Sequence, residues 1–169
     1  MFHILRAVER AHKVDLRRVA LCAPIVFAVH VLEEAPNFVE WFNSMVGRGI
    51  TQSLFFSVNA VAFLITLILA GLVAAARDQF AAMAMTTWLG FLMLANGLFH
   101  IVATAVHARY CPGIVTGTFL YIPYFAWFTS VAIRQLQIRL PVVIASAGVG
   151  SAPMFVHGYL IIFRGDRLF

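Results

Sequence analysis

Five apolar runs, near residues 17–35, 54–76, 81–107, 114–133 and 140–163, leave this chain few ways to fold. Each is close to the roughly 20 residues that a helix needs to cross the hydrocarbon core of a bilayer. A chain of 169 residues has the length of one soluble domain, but 62% hydrophobic and 11% charged residues with a mean hydropathy of +0.91 exclude that class. The expected fold is all-α: a polytopic membrane helix bundle with about five transmembrane helices. A basic amphipathic segment over residues 1–18 precedes a single transmembrane helical domain over 19–169.

The net charge of +5 does not mark a nucleic-acid protein, because the basic residues lie between the runs and form no continuous patch. They fit the positive-inside rule. With a cytoplasmic N-terminus, Arg6, Arg10, Lys13, Arg17, Arg18, Arg77, Arg134 and Arg139 lie inside, and only Arg48, Arg109, Arg164 and Arg167 lie outside. In residues 1–18 the cations interleave with Phe2, Ile4, Leu5, Val8 and Val14, as in a helix resting on an anionic leaflet. The first run leads into acids and not into a small-residue cleavage site, which argues against a cleaved signal peptide. Cys22 near the inner end of the first span and Cys111 in an outer loop are too far apart to bond.

The chemistry concentrates at His30-Val31-Leu32-Glu33-Glu34, where the first apolar run ends. Positions i, i+3 and i+4 share a helix face, so the imidazole and both carboxylates turn the same way. Pro36 ends the helix near Glu34 or Ala35. Two acids then occupy a last turn where the helix dipole is already negative, and they need a counter-charge: a metal, a protonated histidine or an arginine. Arg109 and Arg48 are the arginines within reach of a purely structural pairing.

Other polar residues gather on the same side of the bilayer. Asn59 lies about two turns below the outer end of the second span, and Asn96 and His100 are i, i+4 neighbours in the third. His107 follows near the same face, then Tyr110-Cys111-Pro112-Gly113 breaks the helix into a tight turn. Thr116, Thr118 and Tyr121 open the fourth span, which Pro123 is expected to kink, and His157 approaches the outer side in a fifth span of small residues. Asn37–Arg48, with Phe38, Trp41, Phe42 and Met45, has the character of an interfacial helix that lids a site beneath it. Buried polarity in a span faces the bundle or a water-filled cavity, so a polar chamber open to the outer side is expected.

Within that chamber His30, Glu33, Glu34 and His100 make a mixed histidine–carboxylate set suited to Zn²⁺, and also to iron or manganese. One glutamate would be a ligand and the other a general base. His107, His157 and Asn59 are further possible members, and Pro112 and Gly113 form a structural turn. Interhelical hydrogen bonding is the rival role for Asn96 with His100, and an interfacial position the rival for His107 and His157. Nothing around Cys111 in the sequence marks a reactive thiolate.

With His30-Val31-Leu32-Glu33-Glu34, the later His100 and Tyr110-Cys111-Pro112-Gly113, the chain resembles the HXXEE-motif family of small integral membrane proteins, which is described by an H-x-x-E-E, a second histidine and a Y-x-P-G. The resemblance adds Tyr110, Pro112 and Gly113 to the residues of interest. A looser similarity is to intramembrane hydrolases of the CAAX-processing and bacteriocin-immunity type, which pair a Glu-Glu with F-x-x-x-H on another helix. Here the counterpart is Asn96-x-x-x-His100, and the arginine after the paired glutamates is absent.

The expected function is that of a metal-dependent membrane enzyme, a hydrolase acting on a lipid-like or amphipathic substrate at the outer side of a bacterial plasma membrane. His30, His100 and one of Glu33 or Glu34 would hold the metal, the other glutamate would handle protons, and Asn96 and Tyr110 would orient the substrate. The alternatives are a metal- or proton-coupled transporter and a non-enzymatic membrane assembly protein. Membrane lipid is the expected surrounding partner, and nucleic acid is not.

Overall fold

The computed structural model describes residues 15–168; the expectation of a basic amphipathic segment falls almost wholly outside them. The described residues form helices α1 (Leu16–Glu34), α2 (Phe38–Met45), α3 (Gln52–Ala76), α4 (Gln79–His107), α5 (Ile114–Leu136) and α6 (Leu140–Arg164), with no strand among them. Helices α3 to α6 are each long and apolar enough to cross a membrane, and α1 with α2 makes a fifth candidate, bent by 68° at the Ala35–Asn37 break. The bends and ends have local chemical causes. Asp15 accepts the Arg17 N–H at 3.1 Å to start α1, and Pro36 stops it. Arg77 takes the left-handed conformation (φ 54°) that closes α3, and Asp78 then accepts the Ala81 N–H at 2.7 Å to open α4. That two-residue turn makes α3 and α4 an antiparallel hairpin.

Helix α3 shows where the apolar surface goes. Its most apolar stretch has a mean hydropathy of 2.4 and is only 17% buried. Across the bundle Ile25, Ile68, Phe119 and Val149 are each more than half exposed. Apolar side chains exposed on this scale, along helices of spanning length, are what a lipid-facing surface requires.

Three spans contain a π-helical turn: Gly90–Ala95 in α4, Gly117–Tyr121 in α5 and Leu160–Arg164 in α6. Such a turn inserts a residue and rotates the rest of the helix, so the side chains beyond it are re-aimed. The first lies just before Asn96 and His100. Small residues let the backbones close around it: the Ser151 hydroxyl of α6 donates to the Gly90 carbonyl at 2.9 Å. Pro123 falls in the first turn after the second π-helical segment. Gly97 and Gly117 bring α4 and α5 together, since a Cβ on Gly97 would meet the Gly117 carbonyl oxygen at 2.9 Å.

Two apolar clusters result. One joins Val19, Ala23 and Phe27 of α1 to Met85, Leu89, Tyr121 and Phe128, and the other joins Trp41 and Phe42 of α2 to Phe99, Cys111 and Ile161. His30, Glu34 and His100 are the buried polar residues that neither cluster absorbs at the top of α1.

Candidate functional site

His30 and Glu34 lie one turn apart on α1, and His100 reaches them from α4. Glu34 Oε1 is 3.4 Å from His30 Nε2 and 3.2 Å from His100 Nε2, and all three residues are buried. One donor atom from each residue falls within 4.8 Å of the others, so this buried group could hold a metal ion. The spacing is informative: two ligands bound about 2.0–2.1 Å from a tetrahedral ion stand about 3.3 Å apart.

The outer nitrogens of the two rings are already engaged. His30 Nδ1 lies 2.7 Å from Thr116 Oγ1, whose own hydroxyl donates to Glu33 Oε2 at 2.5 Å. Thr116 has one proton, so its oxygen accepts from His30 Nδ1–H, and in the neutral ring His30 Nε2 keeps its lone pair. His100 Nδ1 lies 3.2 Å from Cys111 Sγ, and the thiol donates onward to the Pro112 carbonyl at 3.9 Å. By the same logic His100 Nε2 carries a lone pair. With both rings neutral, two Nε2 lone pairs and a carboxylate oxygen converge, an arrangement that calls for a positive charge, either a metal ion or a proton on one of the rings. The Asn96 amide donates to His30 Nε2 at 3.3 Å, whereas buried His100 Nε2 faces Glu34 Oε1 at 3.2 Å and no hydrogen-bond donor among the described residues. That unsatisfied nitrogen fits a metal ligand. Tyr121 stacks on His30 with ring centroids 4.0 Å apart, and Phe38 of α2 stands edge-on to His100 at 6.1 Å, which roofs the group as a lid would.

Glu33 has a different set of partners. Its carboxylate accepts the Tyr110 hydroxyl at 2.7 Å, the backbone N–H groups of Gly113, Val115 and Thr116 at 3.1, 3.1 and 2.7 Å, and the Thr116 hydroxyl. These amides begin α5, where unpaired donors and the helix dipole favour an anion. Five donors occupy the roughly four lone-pair sites of a carboxylate. Glu33 therefore caps another helix, and it is not one of the three convergent donors. No arginine pairs with either glutamate among the described residues.

The Tyr110–Gly113 turn touches the site at every step. Partial burial and the bond to Glu33 push the Tyr110 hydroxyl up to about 12, so it remains a donor at neutral pH. Burial raises the Cys111 thiol as well, which keeps it protonated. Gly113 sits at φ 101°, and a Cβ there would come within 2.5 Å of His100 Cε1 and 2.9 Å of His30 Cε1. No side chain fits between those rings.

Of the other expected residues, Asn59 donates to its own helix at Phe55 O (2.9 Å) and lines a cavity beside Glu34, as does His157. His107 is outside the convergent group. Thr116 and Cys111, which orient the two histidines, carried no assigned role in the sequence; their position next to the Y-x-P-G turn was the available signal. The cavity has a volume of about 280 Å³ and is walled by Phe38, Phe42, Leu54, Phe55 and Val58, with Glu34 and Asn96 on its surface. An apolar chamber with a few polar groups is the usual form of a small-molecule site.

No curated protein and no solved structure matches the chain. A family model does match, over residues 21–128, which hold most of α1, all of α2 to α4, the Tyr110–Gly113 turn and the start of α5. The chain, with its H-x-x-E-E split between a histidine–carboxylate centre and a helix cap, belongs to the family described as proteins of unknown function with an HXXEE motif.

Proposed function

We propose that this chain is a membrane-embedded, metal-dependent hydrolase of an amphipathic or lipid-like substrate, with His30, Glu34 and His100 as its metal ligands. The observation that carries this reading is the convergence of His30 Nε2, Glu34 Oε1 and His100 Nε2 within 4.8 Å of one another, with Glu34 also on the wall of an apolar cavity. Two nitrogens and one carboxylate oxygen suit zinc, and also iron or manganese. His30, Glu34 and His100 would hold such an ion with a position left for water or substrate, and the chemistry it would supply there is that of a Lewis acid.

The protein's own residues supply orientation. The Thr116 hydroxyl and the Cys111 sulfur hold the two rings with Nε2 turned inward, and Glu33 fixes Thr116. Glu33 has no oxygen left to accept a proton from the cavity, so it serves as a positioning residue and not as the general base. Asn96, which lines the cavity and donates to His30, would orient a substrate carbonyl. The aromatic wall binds the apolar part and excludes water. Under the positive-inside rule the site opens to the outer side of the plasma membrane.

The test is elemental analysis of the purified protein beside His30→Ala and Glu34→Ala variants, followed by a screen of ester and amide hydrolysis with the metal-loaded protein. The expected result is a stoichiometric divalent metal, lost in both variants, with hydrolysis that depends on it. Metal-free protein after metal add-back, or a metal that both variants retain, would sink the reading.

A further inference from the structure

The cavity wall includes one cation that the metal centre does not use. The last π-helical turn ends at Gly165, whose φ of 63° reverses the chain. Three hydrogen bonds then hold the segment after it in place: Gly47 N–H to the Gly165 carbonyl at 3.0 Å, Asp166 N–H to the Leu160 carbonyl at 3.2 Å, and Leu168 N–H to His157 Nδ1 at 3.2 Å. His157 itself is buried and stacks on Phe42. The outcome is that Arg167 lines the same cavity as Glu34 and Asn96. No carboxylate pairs with the Arg167 guanidinium among the described residues; the neighbouring Asp166 accepts Arg167's backbone N–H instead. An arginine brought to an apolar cavity by a pinned turn, with no acid paired to it among the described residues, has a guanidinium available to an anion.

We infer that the cavity binds a single-chain amphiphile whose carboxylate pairs with Arg167 and whose chain lies against Phe38, Phe42, Leu54, Phe55 and Val58. The volume of about 280 Å³ is at the small end for ligand sites and accommodates one short chain, not a two-chain lipid. One guanidinium matches one negative charge, which favours a carboxylate over a phosphate monoester carrying about −1.5 to −2. The inference rests on the hydrolase reading only for the chemical step: with the acid at Arg167, a second polar group along the chain, an ester or amide, would be the part offered to Glu34 and Asn96.

Binding is measured by titration calorimetry in neutral phosphatidylcholine nanodiscs, with chelator present, using decanoate, decyl phosphate and decanol as probes. Removing metal separates the two readings, since failure here leaves the metal centre standing and a missing metal leaves this titration interpretable. Decanoate is expected to bind at least about tenfold more tightly than decanol, a difference of about 1.4 kcal/mol. Arg167→Gln should abolish that preference and Arg167→Lys should keep most of it. Leu54→Trp and Val58→Trp, two independent fillings at partly exposed positions, should each weaken decanoate about tenfold or more. Equal binding of decanoate and decanol, an unchanged preference in Arg167→Gln, or tighter binding of decyl phosphate would overturn the inference. So would decanoate binding that neither tryptophan filling weakens, because Arg167 would then act at the membrane surface and not in the cavity.

Discussion

Glu33 and Glu34 are consecutive on α1, yet Glu33 closes the N-terminus of α5 while Glu34 stands 3.2 Å from His100 and 3.4 Å from His30. The two acids should therefore fail differently. Glu34→Gln is expected to abolish the proposed metal binding while leaving the bundle folded. Glu33→Gln should keep metal, but its amide must turn an N–H against one of the α5 donors, at a cost of about 2 kcal/mol. Metal content and thermal unfolding of both variants in detergent decide this. Equal metal loss in the two would contradict the division of roles.

Thr116 acts on the centre only through His30, so removing its hydroxyl should loosen the ring without removing a ligand. Thr116→Val is expected to lower metal affinity by about 10–100-fold, as outer partners of ligating histidines commonly do. Thr116→Ser, which keeps the oxygen, should stay near the parent. A competition titration against a chromogenic chelator reads both. If valine and serine behave alike, the hydroxyl is not what orients His30.

Gly113 admits no side chain. An alanine there would meet both imidazole rings and would also have to hold φ 101°. We expect Gly113→Ala to destabilise the protein by more than about 2 kcal/mol and to abolish metal binding. Yield, thermal unfolding and metal content measure it. A Gly113→Ala protein with parental stability and full metal occupancy would mean that the Tyr110–Gly113 turn is free to move away.

Tyr110 links pH to the cap. Its hydroxyl is raised from the ordinary 10 to about 12 by partial burial and its bond to Glu33. An acid whose folded value lies above its unfolded value favours the fold fully below pH 10, and that contribution falls as pH rises from 10 to 12. Tyrosinate absorbance of the parent minus that of Tyr110→Phe should show a late-titrating phenol near pH 12. The Phe variant should keep its metal. A phenol titrating at 10 would show that the bond to Glu33 is not formed.

Much of this was legible before the fold. The span boundaries come from hydropathy: the runs near 54–76 and 81–107 correspond to Gln52–Ala76 and Gln79–His107, because lipid solvation acts residue by residue along a helix. The i, i+4 pairing of His30 with Glu34 is equally local. Sequence reasoning also requires a counter-charge for the paired acids at the end of α1. It names metals, histidines and arginines, but misses the N-terminus of α5 because the backbone N–H groups that meet Glu33 are common to every residue type but proline.

Hydropathy and residue spacing set the apolar helices, the turn that breaks α4 from α5, and the short roster of histidines and acids from which a centre could be made. Which of them meet was decided only by tertiary structure. Adjacent residues on a helix point about 100° apart, so whether Glu33 or Glu34 faces the histidines depends on how α1 is rotated against α4 and α5. The π-helical turn at Gly90–Ala95 resets the facing of Asn96 and His100, and a glycine contact between Gly97 and Gly117 sets how closely α5 approaches. Arg167, far along the chain, reaches the same cavity only because the last span reverses at Gly165. Side-chain chemistry is written locally, but the meeting of donor atoms depends on helix rotation and backbone approach, which belong to the packed bundle.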